Sequence, residues 1–282
     1  MNQVSLMGTI SKLTKLVTVL FLLLLLFVML FPFLIVIINS IKTPAEYAAN
    51  GPMALPHEIY FGSIIAFWQR VSFHEKLWNS LVISLSVAVF AVLISMLNAF
   101  ALGIGKVKGR YFFLIFFIIA NTLPHESLVY PLYYLTKGIG LYDTKTAVII
   151  IFTAIQAAFG TFLLTNVFHS FPTSLVEAAL VDGASKPKIL FSIVAPISAP
   201  SLSVLFTFFF IWTWNEFFLP LILLISNSNQ TVPIAISLTQ GQHNMDVTTA
   251  SASALLGMLP CLIFFIFFQR TLSRGITAGS IK

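Results

Sequence analysis

Histidine followed by glutamate occurs three times in this sequence, at His57, His74 and His125. Such a pair opens a zinc-protease helix only when a second histidine follows four residues after the first. The positions in question hold Phe61, Trp78 and Val129, so no two-histidine metal face forms. Cys261 is the single cysteine and sits in an apolar run, which leaves no disulfide within the chain and no thiolate metal set. No G-x-x-x-x-G-K-[ST] phosphate loop is present; Gly103-Ile104-Gly105-Lys106 lacks the spacing and reads as a helix end with basic residues. A G-x-S-x-G nucleophile elbow is missing too. The chain is therefore expected not to be an enzyme, and to hold no metal and no cofactor of its own.

The elements around these residues are dictated by composition. Of 282 residues, 58% are hydrophobic and 9% charged, with a mean hydropathy of +0.98. A water-facing domain carries roughly a quarter charged residues, so the solvent for most of this surface is a lipid bilayer. The formal charge of +6 does not indicate nucleic acid, because the basic residues are scattered and sit at the ends of apolar stretches. Residues 16–38 are apolar apart from Thr18 and Pro32, longer than a signal-peptide core and without a small-x-small cleavage site. They are read as a first spanning helix. Five more stretches, about 78–103, 111–136, 144–168, 198–225 and 250–269, each reach the ~20 residues needed to span. The expected fold is all-α, a polytopic membrane protein with six transmembrane helices. Its expected divisions are an N-terminal helix over 1–40, an extracytoplasmic loop over 41–77 and a core over 78–282.

Orientation follows from lysine and arginine. With the N-terminus inside, Lys12, Lys15, Lys106, Lys108, Arg110, Lys186, Lys188, Arg270, Arg274 and Lys282 are cytoplasmic, ten of the fifteen. The remainder, Lys42, Arg70, Lys76, Lys137 and Lys145, spread over longer outer segments. The positive-inside rule selects cytoplasmic N- and C-termini. The prolines and aromatics of 40–77, Pro44, Pro52, Pro56, Tyr60, Phe67 and Trp68 among them, predict short irregular structure at an interface.

The segment 170–196, SFPTSLVEAALVDGASKPKILFSIVAP, falls on the cytoplasmic side and is longer than a connection requires. It reads as two short helices. Pro172 suits a first turn, and Leu175, Val176, Ala179 and Leu180 recur at helical spacing. Gly183 suits a left-handed helix end. Ser185 can cap a second helix through 186–193 with Pro187 in its first turn. Glu177 and Asp182 oppose docking on an anionic leaflet, so a protein partner is expected there; an amphipathic helix resting on lipid is the alternative.

Glu177-Ala178-Ala179, three residues, Gly183, nine residues, Ile193, one residue and Ala195-Pro196 together resemble the EAA motif of binding-protein-dependent ABC importer permeases. Ala195 stands where leucine is usual. The segments Asp182-Gly183-Ala184-Ser185, Trp212-x-Trp214-Asn215-Glu216-Phe217 and Gly275-Ile276-Thr277-Ala278-Gly279 resemble the carbohydrate (maltose-type) branch, specifically its smaller, second permease. Glu216 stands where aspartate is usual. The resemblance covers about 70–282 well and implies the type I ABC importer fold. It also implies an ATPase-coupling helix at about 172–190, carried by Glu177, Ala178, Ala179, Asp182 and Gly183. The implied partners are a second homologous permease subunit, an ATPase subunit dimer that binds ATP and Mg, an extracytoplasmic solute-binding protein, a sugar substrate and the lipid of a bacterial cytoplasmic (inner) membrane.

Within the predicted spans lie Asn98, Asn121, Glu126, Gln156, Asn166, Asn215 and Glu216. Charged groups at membrane depth face a bundle interior or a water-filled cavity. At ~1.5 Å per residue, Glu126 lies about 22 Å and Glu216 about 27 Å along their helices, both in the outer half. One reading makes Glu126, Trp212, Trp214, Asn215 and Glu216 a substrate pathway whose tryptophans stack on sugar rings. The other makes the carboxylates helix–helix contacts or interfacial groups. A permease for a non-sugar solute, such as an amino acid or a metal chelate, is the alternative within the family. Outside it stands a secondary transporter, which usually shows inverted repeats and interrupted midplane helices; neither is apparent in the sequence.

Overall fold

The computed structural model describes residues 3–105, 107–238 and 246–278. Lys106, Gly279 and Lys282, used above, lie outside the described residues. The helices begin with α1 (Gln3–Ser40), α2 (Pro44–Asn50), α3 (Gly62–Arg70), α4 (Phe73–Ala99) and α5 (Arg110–Thr122). They continue with α6 (Val129–Gly138), α7 (Lys145–His169), α8 (Thr173–Val181), α9 (Lys186–Ile189) and α10 (Ala195–Ile197). The last are α11 (Ala199–Asn215), α12 (Phe218–Leu223), α13 (Val232–Ser237) and α14 (Val247–Ala278). No strand occurs among the described residues.

The chain divides into two compact units, Met1–Arg70 with Thr239–Leu256, and Val71–Leu238 with Gly257–Lys282. In the first, no residue in the apolar window of α1 is buried, as expected of a helix bathed in lipid. After it, Lys42 is fully buried and donates to Asn39 Oδ1 at 3.1 Å and to the Gly51 carbonyl at 3.0 Å. Neutral oxygens thus replace the water its ammonium has lost. Thr43 caps α2, accepting the Glu46 N–H at 3.1 Å.

The second unit is built on the pairing of α4 with α7, with α11 laid on α4. Small residues make the approach possible: Ser84, Ala88, Ala91 and Ser95 on α4, Ala157, Ala158, Gly160 and Thr161 on α7, all buried. Where lipid is as apolar as leucine, close backbone approach and hydrogen bonds hold helices together. Ser95 Oγ donates to the Ala157 carbonyl at 3.2 Å, and Asn98 Nδ2 to Thr161 Oγ1 at 3.2 Å. Ile83, Val87, Val148, Ile151, Phe152, Leu219 and Leu223 form the apolar core beside them.

One end of this unit is fastened by polar side chains. Fully buried Lys76 donates to the carbonyl and side-chain oxygens of Asn227. Asn79 donates to the Ser228 and Gln230 carbonyls at 2.7 and 2.9 Å and accepts from Lys145 at 2.9 Å. Asp143 accepts the Ile225 and Ser226 N–H groups at 2.9 and 3.0 Å, and the Ser226 hydroxyl. Burial works to raise the Asp143 carboxyl, but these hydrogen bonds hold it below its ordinary value.

Among the described residues, four helical stretches are long and apolar enough to span, Thr14–Ser40, Phe73–Ile104, Lys145–His169 and Val247–Gln269. The count rises to six if each of two bent pairs is one span. The pair Arg110–Thr122 with His125–Gly138 turns through 91°, and Lys186–Ile197 with Ala199–Asn215 through 81°. The first bend interrupts the expected span over 111–136, and the expected span over 198–225 is cut where α11 ends at Asn215 before α12. Pro124 has no N–H and drives the preceding residue out of the helical region; Leu123 accordingly sits at φ −71°, ψ 126°. Pro220 would clash with the carbonyl four residues back, which is that of Glu216, and Glu216 is extended at φ −71°, ψ 128°. Glu126 and Glu216 thus sit at helix breaks, not within continuous helices.

Candidate functional site

Two places in the second unit carry the residues singled out by the sequence. The first is the α8–α9 hairpin. Thr173 begins α8, and Pro172 stands one residue ahead at the cap instead of inside the first turn. At the other end Gly183 adopts φ +75°. Its N–H reaches the Leu180 carbonyl at 3.0 Å, while the Ala184 N–H reaches back to Ala179 at 2.9 Å. This is the Schellman pattern that a left-handed glycine permits. Ser185 occupies the cap of α9 but its side chain makes no capping hydrogen bond. Helical backbone runs on past 193, through a π-helical turn at Leu190–Val194, to Ile197.

Glu177, Ala178, Asp182 and Gly183 are all exposed on this hairpin, together with Leu180 and Val181, the latter 88% exposed. Ala179 points the other way and is only 7% exposed, so it anchors α8 to its own chain. A Cβ placed on Gly183 would meet nothing within 4 Å. The hairpin therefore presents a mixed acidic and apolar ledge with open space beside its glycine.

The second place is a cavity of about 310 Å³ lined by the end of α5, the turn at His125, one face of α7 and the end of α11. Its polar walls are Asn121, His125, Gln156, Asn215 and Glu216; its apolar walls include Phe152, Phe159 and Trp212. Trp212 packs on Phe159 with ring centroids 5.1 Å apart and keeps 45% of its surface exposed. Glu216 Oε1 accepts the Leu219 N–H at 3.4 Å, at the start of α12. Asn121 and Asn215 each donate their amide to the carbonyl one turn back, at 2.8 Å to Phe117 and 2.8 Å to Ile211.

Of the proposed pathway residues, the cavity brings together Trp212, Asn215 and Glu216 but neither Trp214 nor Glu126. Trp214 is 2% exposed, with its Nε1–H 3.3 Å from the Gly257 carbonyl. Glu126 is exposed in the short turn after Pro124. Asn98 and Asn166 also lie elsewhere, Asn98 on Thr161 and Asn166 on its own helix. His125 and Phe159 line the cavity without having been anticipated; the proline one residue before His125 was the available signal for a chain reversal there.

Residues 100–278 match the family described as the binding-protein-dependent transport system inner membrane component. The sulfoquinovosyl glycerol transport system permease protein SmoH of Agrobacterium fabrum is 30% identical over 253 residues, 90% of this chain and 89% of that protein. The arabinooligosaccharides transport system permease protein AraQ of Halalkalibacterium halodurans is 32% identical over 259 residues, 91% and 92% of the two chains. A similar fold occurs in the crystal structure of a bacterial ABC transporter that imports the acidic polysaccharide alginate. Its TM-score is 0.79 at 20% identity, covering 92% of this chain and 96% of that one.

Proposed function

Since the chain belongs to the binding-protein-dependent transport system inner membrane components, we propose that it is the carbohydrate permease of an ATP-driven importer and forms half of the translocation pathway. Relatives similar over nine-tenths of the chain and named for arabinooligosaccharides or sulfoquinovosyl glycerol support the sugar class. The observation that carries the mechanism is the α8–α9 hairpin. Its exposed Glu177, Ala178, Asp182 and Gly183 form a short ledge ended by a tight glycine turn, suited to a cleft on a cytoplasmic ATPase. Ala179 holds that ledge against the body of the chain.

In this reading ATP and Mg are bound by the ATPase dimer and none by this chain. Closure of that dimer pushes on α8. The push passes into the helical run 186–197, and from there into α11, whose far end carries Trp212, Asn215 and Glu216. A sister permease completes the pathway, and a solute-binding protein delivers sugar from the extracytoplasmic side. The termini are cytoplasmic, in a bacterial inner membrane. Trp214 and Glu126 act around the pathway, the first through packing of α11 and the second at the α5–α6 turn.

Reconstitution tests this. The purified chain alone should bind no ATP and catalyse no uptake. Together with its ATPase, sister permease and binding protein, it should show hydrolysis that rises when sugar-loaded binding protein is added. Counterflow by the isolated chain in liposomes would indicate a secondary transporter instead.

A further inference from the structure

We infer that the cavity between α5, α7 and α11 is a sugar-ring subsite of this subunit itself, selective for a polyhydroxylated solute without an anionic group; the inference rests on the permease reading above. Its centre is Gln156, only 5% exposed. Thr213 spends its hydroxyl proton on the Phe209 carbonyl at 2.8 Å, so Gln156 must turn its amide N–H toward Thr213 Oγ1, at 2.8 Å. That fixes the orientation of the amide and leaves Gln156 Oε1 buried at the cavity wall with no donor among the described residues. Buried acceptors of this kind are rare, because water has been given up without replacement. A solute O–H is the matching donor.

The rest of the wall repeats the pattern. Asn121 and Asn215 each commit one of two amide N–H groups to the carbonyl one turn back, and the Asn215 amide also lies 4.0 Å from Cys261 Sγ, so their side-chain oxygens can accept while Asn121 keeps a second N–H to donate. Glu216 is an acceptor at both oxygens and uses one on Leu219. Among the described residues, no lysine or arginine lines the cavity. A wall rich in acceptors, with one carboxylate and the His125 imidazole beside them, suits a molecule rich in hydroxyl donors. The Glu216 carboxylate disfavours a uronic or sulfonic acid, which would bring a second anion next to it. Trp212 and Phe159 supply flat apolar faces for the C–H side of a ring. The volume of about 310 Å³ is at the lower end of the ~300–1,000 Å³ typical of small-molecule sites. That suits one sugar ring of a longer solute.

The test uses the assembled importer in lipid nanodiscs without its binding protein, so that solute selection by that protein does not intervene. Saturation-transfer NMR is recorded with methyl glucoside, methyl xyloside, methyl arabinoside and glucuronate. At least one neutral glycoside should show transfer, lowered tenfold or more in both Gln156→Leu and Trp212→Ala. Glucuronate should show none in the wild type and should gain signal in Glu216→Gln. Because Gln156 is buried, co-purification of the variant with the ATPase at wild-type level is the check on folding. Half-exposed Trp212 gives an independent readout should Gln156→Leu fail it. The inference is overturned if no neutral glycoside binds, or if the substitutions leave binding unchanged. It is likewise overturned if glucuronate binds as well as the neutral sugars. ATP-driven uptake by the complete importer, measured in parallel, separates the two levels: uptake with an indifferent cavity removes only the subsite, whereas no coupled uptake of any sugar removes the permease reading beneath it.

Discussion

Gly183 offers a way to measure the ATPase contact through strain that can be separated from steric effects. Its φ of +75° costs a residue with a Cβ roughly 1–2 kcal/mol, and asparagine less, since it tolerates this region better. A Cβ there meets no atom of the chain within 4 Å, so alanine and leucine begin from nearly the same intrachain cost. At ~1.4 kcal/mol per tenfold, strain alone lowers the population of correctly turned hairpin by about five- to thirtyfold. Any further loss on going from alanine to leucine must come from something outside the chain filling that open space. The series Gly183→Asn, Gly183→Ala and Gly183→Leu is assayed by co-purification with the ATPase and by sugar uptake at matched membrane levels. Asparagine should retain most of both and alanine should lose part. Leucine should abolish uptake and lose ATPase association well beyond alanine, with membrane insertion normal in all three. Glu177→Lys should behave like leucine. Equal behaviour of alanine and leucine would refute the argument that a partner sits against the glycine, and full transport by Gly183→Leu would remove the coupling role altogether.

The α4–α7 contact makes an opposite steric case, since a Cβ on Gly160 would lie 2.2 Å from Ser95 Oγ and 2.8 Å from Phe209 Cζ. Gly160→Ala should cost about 1–3 kcal/mol in overpacking against roughly 1 kcal/mol of helix propensity gained. Its melting temperature in detergent should therefore fall, and Ser95→Ala in the same chain should restore part of the loss. Lys76→Met removes two charge-assisted hydrogen bonds to the exposed Asn227, each worth about 1.5–3 kcal/mol. It should sharply increase proteolysis of the 224–231 segment, whereas unchanged cleavage would mean that Lys76 does not hold that segment. For orientation, Tyr60→Cys and Leu180→Cys in a Cys261→Ser background place thiols at positions 41% and 52% exposed, so burial does not bias the comparison. An impermeant thiol reagent added to intact cells should label position 60 and leave position 180 unlabelled; labelling at 180 would overturn the cytoplasmic placement of the hairpin.

Much of this protein was legible from local sequence. A low charge fraction forces a lipid solvent, runs of about 20 apolar residues force helices, and these are properties of neighbours along the chain. The α8–α9 hairpin was legible for the same reason: helix, left-handed glycine and second helix follow one another within 170–196. The breaks were not read, although both proline signals were present. Apolar composition continues through Leu123-Pro124 and through Phe217-Phe218-Leu219-Pro220, so hydropathy alone joins what backbone sterics divide. The side chains that form the cavity were only half separable by type. Trp212 and Trp214 are two residues apart, yet about 100° of helical rotation per residue puts one on the cavity and the other in the packing against Gly257. The sequence by itself determined a membrane chain with an EAA hairpin, because each depends on spacing within one segment. Only the tertiary structure decided that Asn121, Gln156, Trp212 and Glu216 share one wall, and that the Gln156 oxygen is left without a donor. Those facts depend on how helices distant in sequence approach, and on where the proton of Thr213 is spent.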